Sequence, residues 1–180
     1  MSKKAQITVS QIIQAALSVA ADKGAGKVTL DAVAKAAGVS KGGLIYHFPS
    51  KEALISAMVQ HLLDEADCRR EQQTQLEQST LAALLQTRAS FTRQIAGNTA
   101  MAILAAAAEQ PALLKPVQQH NIAMLQQVLA EHQQSPQALL LFLASEALVF
   151  HDLLQISPFT EQERIDLEHL LVQQARELQA

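Results

Sequence analysis

Apolar residues recur at helical spacing along nearly the whole chain, and no stretch sustains the period-two alternation that a half-buried strand requires. Val9, Ile12, Ile13, Ala16, Leu17 and Ala20 fall on one face of a first helix, and Leu54, Ile55, Met58, Val59, Leu62, Leu63 and Ala66 on one face of another. Ala, Leu and Gln, all good helix formers, are abundant, and aromatic residues make up only 3%. An all-α fold follows. Punctuation sets its elements. Thr8 or Ser10 is expected to cap the first helix and Gly24 and Gly26 to end it. Thr29 caps a helix over 30–37, Gly38 and Val39 turn the chain into Ser40, and Ser40 caps a short helix over about 41–48. Pro49 and Ser50 break the chain and open a fourth helix.

Past Arg70 the polar stretch Glu71–Ser79 reads as irregular, separating the fourth helix from one near 80–93. Two more helices are expected near 98–110 and over 111–134, with Pro111 in the first turn of the second. Pro136 opens a helix to about Leu154 that is apolar nearly all round, and Thr160 opens the last with a capping box to Glu163. The 180 residues, 49% apolar, suffice for an ordinary core. One cysteine, Cys68, cannot close an internal disulfide, and Met1–Gln6 has two lysines but no apolar run with a cleavage site. The longest uncharged stretches, Ala5–Ala21 and Gln94–Ala108, are short of a membrane span, so a soluble cytoplasmic protein is expected.

Charge divides the chain. Residues 1–51 hold seven lysines against Asp22 and Asp31, or +5, while 52–180 hold seven basic against fifteen acidic side chains, or −8, giving the net −3. A basic module on an acidic body suits a nucleic-acid binder, because phosphate neutralisation supplies sequence-independent affinity while the body stays off the polyanion. Within that module, Thr29 to Phe48 has the grammar of a helix-turn-helix: a capped helix, small residues (Ala34, Ala37, Gly38) where two helices cross closely, a short turn, and a second capped helix. Such a second helix enters the DNA major groove. Ser40, Lys41, Gly42 and Gly43 present donors and open backbone at its start, and Tyr46, His47 and Lys51 carry donors for phosphate oxygens.

Ile12-Ile13-Gln14-Ala15-Ala16-Leu17, Gly24, Thr29, Val33-Ala34, Ala37-Gly38-Val39-Ser40-Lys41-Gly42 and Tyr46-His47-Phe48-Pro49-Ser50-Lys51-Glu52-Ala53-Leu54 together resemble the TetR family of bacterial one-component transcriptional regulators. The likeness runs without a gap from about Ile12 to Leu54, under a third of the chain. It implies about nine helices and a homodimer, with Ser40 to His47 as the recognition helix. Thr29, Tyr46, His47 and Lys51 then belong to the phosphate-contacting positions, and Lys41, Gly42 and Gly43 lie nearest the bases. The chain departs from the family pattern where Gly43 replaces a common Thr, Ile45 a common Tyr, and Ala20 and Ala25 common aromatics.

On this reading residues 1–51 form the DNA-binding domain and 52–180 a ligand-binding and dimerisation domain, with the fourth helix as connector. The helices near 136–154 and 160–178 are the expected dimer seam, pairing with their symmetry mates as a four-helix bundle. The middle helices, 80–134, would enclose a cavity for a small, largely apolar effector. Phe91, Ile95, Met101, Leu104, Met124 and Phe142 are candidates for its wall, with His120, Glu146 and His151 as polar groups to orient a ligand. The implied partners are an operator in double-stranded DNA, a second copy of the chain and that effector; repression follows the family tendency.

An enzyme is the rival reading. The pairs Glu131-His132, His151-Asp152 and Glu168-His169 are adjacent on helices, about 100° apart, so they do not converge on one ion. No zinc-protease motif, phosphate-cradling loop or nucleophile elbow occurs, and neither catalysis nor a cofactor is expected. The alternative is a helical bundle that binds a small molecule or senses a metal or redox change, for which Cys68 with His61 and Asp64 on one helix is the candidate cluster.

Overall fold

The computed structural model describes residues 3–24, 27–77, 79–95 and 97–178, and the residues so described form nine α-helices and one 3₁₀ turn, with no strand among them. They gather into two compact units: residues 1–62 with 96–116, and residues 63–95 with 117–180.

In the first unit α1 (Lys3–Lys23) begins ahead of Thr8 and Ser10, so neither caps it; Lys4, Ala5 and Gln6 favour the helix and extend it backward. Gly24, at φ +79, ends it. Helix α2 (Leu30–Ala37) starts on the Thr29 cap and stops at Gly38, whose φ of +67 lets Val39 N–H reach the Ala34 carbonyl at 3.0 Å. That is a Schellman close, and glycine suits it because a Cβ disfavours this conformation. Helix α3 (Lys41–His47) follows after three residues, Gly38, Val39 and Ser40. The core is built from the faces read in the sequence: Ile12, Ala16 and Ala20 of α1, Val33 of α2, Leu44 of α3, and Leu54 and Met58 of the next helix are all sealed from solvent. Helix α6 (Gly97–Glu109) and the 3₁₀ turn Pro111–Leu114 pack on the same core through Ala102, Ala107 and Leu113.

Helix α4 (Lys51–Glu77) opens on Ser50, whose Oγ accepts from Ala53 N–H at 3.1 Å. It runs through the stretch expected to be irregular and stops only at Glu77. Polarity misled here, because Gln and Glu are good helix formers and a solvated helix shows no apolar stripe. Thr74 Oγ1 donates to the Arg70 carbonyl at 2.9 Å and Gln73 Nε2 to Glu77 at 3.2 Å. Glu77 in turn takes two N–H bonds from Arg176, at 2.7 and 2.8 Å. The helix expected over 111–134 is also corrected: the 3₁₀ turn comes first and α7 (Lys115–Glu131) starts afresh. Pro116 explains the break. It has no N–H for the preceding turn and its ring clashes with a continuing helix, so it is tolerated only at a helix start.

In the second unit α5 (Thr80–Gln94), α7, α8 (Pro136–Leu154) and α9 (Glu161–Glu177) surround Leu81, Leu85, Val128, Phe142 and Ala175. Ser79 caps α5 from a buried position, and α9 carries the expected Thr160–Glu163 capping box. Two arginines, Arg164 buried and Arg88 half-buried, tie the helices together. Arg164 of α9 pairs with Asp152 of α8 at 3.2 Å and with Glu168. Arg88 of α5 pairs with Glu146 of α8, donates to Ser145 Oγ at 2.7 Å and lies 4.5 Å over the Phe142 ring. Helix α8 is long and apolar enough by length and composition to cross a membrane. Its Glu146 and Asp152 are nonetheless ion-paired inside this unit, as befits a core helix.

Candidate nucleic-acid interface

The local chemistry of 29–51 fixes a short helix with two distinct faces. Leu44 and Phe48, one turn apart, are buried and anchor α3 to the core. At about 100° per residue the opposite side then carries Gly42 and Tyr46, flanked by Ile45 on one side and Gly43 on the other. Tyr46 is 84% exposed, with its ring edge-on to His47 at 5.1 Å and 81°. Ser40 Oγ accepts from Gly43 N–H at 3.0 Å, and Thr29 Oγ1 accepts from Ala32 N–H at 3.2 Å, so a side-chain cap fixes the start of each helix, that of α3 at the turn. A Cβ on Gly43 would lie 3.2 Å from Ser40 Oγ and crowd that cap, whereas Gly42 faces open space. Lys51 stands half-buried at the first position of α4.

The structure therefore brings Thr29, Ser40, Lys41, Gly42, Gly43, Tyr46, His47 and Lys51 onto one helix-turn-helix segment. Two features were missed in the sequence. Lys41 Nζ is held 3.0 Å from the Asp31 carboxylate of α2, both side chains well exposed. No helical spacing relates residues ten apart; only the crossing of α2 and α3 joins them. The second is Ile45, 40% exposed although apolar.

The effector candidates scatter. The Phe91 side chain lies outside the described residues. Met101, 48% exposed, and Leu104 belong to α6 in the first unit. Ile95, half-buried, follows α5 in the second, where Met124 and Phe142 are packed in the core. His120 Nε2 lies 3.0 Å from Asp67, and Glu146 accepts from Asn121 Nδ2 at 3.1 Å besides pairing with Arg88. Burial raises the Asp67 carboxyl, but the His120 and Arg70 bonds outweigh it and hold it below the ordinary range. Beside Arg88, the helices α5, α8 and α9 leave a hollow of about 10 Å³, room for about one water. Of the metal or redox candidates, His61 lies 2.8 Å from Gln14 Nε2 and Cys68 is exposed. Among the described residues no group of three or more His, Cys, Asp or Glu side chains could hold a metal ion.

The family model described as bacterial regulatory proteins, tetR family, matches residues 12–58, and that of the tetracyclin repressor-like C-terminal domain matches 78–176, more than half of the chain. The chain belongs to the TetR family. The regulator RutR of Escherichia coli K12 is 45% identical over 53 residues, 29% of this chain and 25% of RutR. YvdT of Bacillus subtilis 168, an uncharacterized regulator of the helix-turn-helix type, is 36% identical over 63 residues, 35% of this chain and 32% of YvdT. The matched stretch thus spans about a quarter to a third of these curated relatives. Among solved structures, a transcriptional regulator from Rhodococcus sp. RHA1 superposes with a TM-score of 0.68 at 21% identity, over 94% of this chain and 95% of that one. The multidrug binding protein EbrR, solved with imidazole, does so with a TM-score of 0.62 at 20% identity, over 91% and 93%. At these identities the likeness is one of fold.

Proposed function

We propose that this TetR-family regulator is a homodimeric repressor that binds a palindromic operator and leaves it when a small, largely apolar effector binds. In this reading residues 1–51 read DNA, 52–180 carry effector binding and dimerisation, and the protein works on the nucleoid in the cytoplasm. One observation carries the dimer: α8 has two apolar faces. Ala138, Leu141, Phe142 and Ser145 are buried in the core, while Leu139, Leu140, Leu143 and Phe150 form a stripe on the other side, 43%, 64%, 60% and 58% exposed. With Leu170 of α9, 51% exposed, this is an apolar surface of the kind that marks a protein interface. A second copy covers it symmetrically and sets two α3 helices on successive half-sites, which gives the specificity one seven-residue helix lacks.

An effector that binds the DNA-incompetent dimer better shifts the population off the operator. Selection of the purified protein against a random-sequence duplex pool at moderate salt tests the reading. Enrichment of a palindrome supports it. Retention of DNA with no preferred sequence, or of none by protein freed of bound ligand, overturns it.

A further inference from the structure

Ile45 is a large aliphatic side chain on the surface of a helix whose other apolar residues, Leu44 and Phe48, are buried. It stands one turn after Lys41, about 40° from it around the helix axis, and next to the bare backbone of Gly42. Core packing does not require it there, and solvation does not favour it. An apolar group beside a cation on the reading face of a helix-turn-helix has one natural complement in duplex DNA. The major groove presents a single apolar feature, the C5-methyl of thymine, and aliphatic side chains read it by contact. The surrounding segment, +5 over residues 1–51, supplies the charge that brings the helix to the groove. Gly42 lets the backbone approach without a Cβ in the way.

We infer that Ile45 is a specificity-determining residue that packs on a thymine C5-methyl in each operator half-site, an inference that rests on the DNA-binding reading above. The partner is the methyl group itself, not the hydrogen-bonding edge of the A·T pair. Deoxyuridine keeps that edge and lacks only the methyl, so it isolates the contact.

The experiment uses the operator recovered from the random pool, with each thymine of one half-site replaced in turn by deoxyuridine, and compares wild type, Ile45→Ala and Lys41→Ala by fluorescence anisotropy. For the wild type one replacement weakens binding about four-fold, the worth of one methyl removed from water. Ile45→Ala binds the thymine operator weaker by a similar or greater factor and no longer distinguishes thymine from deoxyuridine at that position. Lys41→Ala binds weaker yet keeps the distinction. Ile45 is exposed enough that the Ala variant should melt with the wild type, which thermal unfolding checks. If no replacement matters to the wild type, or if Ile45→Ala discriminates as well as the wild type does, the inference falls while the DNA-binding reading stands. If no operator is enriched, both fall.

Discussion

Helices α5 and α8 are joined through a charged pair that hydrophobic packing would ordinarily exclude, and its removal should be costly in a particular way. The Arg88 side chain is 13% exposed and that of Glu146 32% exposed. Burial pushes the guanidinium pKa down, and the Glu146 carboxylate counters it. Glu146→Leu strands a cation in the core, which typically costs about 3–5 kcal/mol. Arg88→Met strands a carboxylate that is wetter and keeps its bond from Asn121, so about 2–4 kcal/mol is expected, part of it the lost contact with the Phe142 ring. The double variant strands neither charge and should lie within about 2 kcal/mol of the wild type, a coupling of at least about 3 kcal/mol. Thermal and urea unfolding by circular dichroism at one fixed protein concentration measures all four proteins, since self-association makes stability concentration-dependent. At about 2–4 °C per kcal/mol for a chain of this length, Glu146→Leu should lower Tm by about 10 °C or more, and the double variant should recover most of it. Losses that simply add in the double variant, or a Glu146→Leu protein as stable as the wild type, would refute the reasoning.

Leu143→Glu places a charge on the exposed apolar stripe of α8, so it should yield a folded monomer by analytical ultracentrifugation with greatly weakened operator binding. Lys51→Ala should reduce the slope of log K against log salt by about one per chain, if Lys51 neutralises one phosphate. Gly38→Ala meets no steric obstacle but forces a Cβ onto φ +67, and should cost about 1 kcal/mol in urea unfolding. The two N–H bonds from Arg176 hold the Glu77 carboxyl below the ordinary range. A pKa depressed on folding adds stability above the unfolded value that is lost as pH falls through the folded one. Wild type and Glu77→Gln should therefore melt apart at pH 7 and draw together as the pH falls below the ordinary carboxylate range.

What the sequence made legible was local. Caps and stops at Thr29, Gly38, Ser40, Ser50 and Thr160 act within four residues, and each sits where its neighbours require it. The end of α4 was not legible, because the partner of Glu77 is Arg176, 99 positions away, and the intervening Gln-rich turns look like a loop when no apolar stripe marks them. The two arginines were hidden for the same reason: Arg88 and Arg164 find their carboxylates on other helices or a turn away, and a charge with an unseen partner reads as solvated. Pro116 was legible in principle, since an internal proline argues against one unbroken helix over 111–134. On the reading face, Ile45 stood out only as a departure from a family pattern. Its exposure, which follows from the burial of Leu44 and Phe48, gives it a role.

Charge on that face leads to a separation between affinity and discrimination. Within α3 the sole lysine, Lys41, is already matched by Asp31 at 3.0 Å, so α3 itself carries little unpaired positive charge. Further exposed cations of the segment lie outside α3, at Lys23, Lys27 and Lys35. Phosphate contacts position a protein on DNA without carrying sequence information, whereas groove contacts carry it. Substituting Lys27 or Lys35 should accordingly weaken binding to all sequences alike and flatten its salt dependence. Changes at Ile45 should alter which half-site is preferred at an unchanged salt slope. Asp31→Asn separates the two terms within one variant: it frees Lys41 and removes a negative charge from the face. Binding to random duplex should then rise more than binding to the operator, so the ratio of the two affinities should fall, measured by competition at two salt concentrations. An operator ratio that holds constant would mean that Asp31 leaves the lysine free to choose its partner, and that the ion pair has no part in reading DNA.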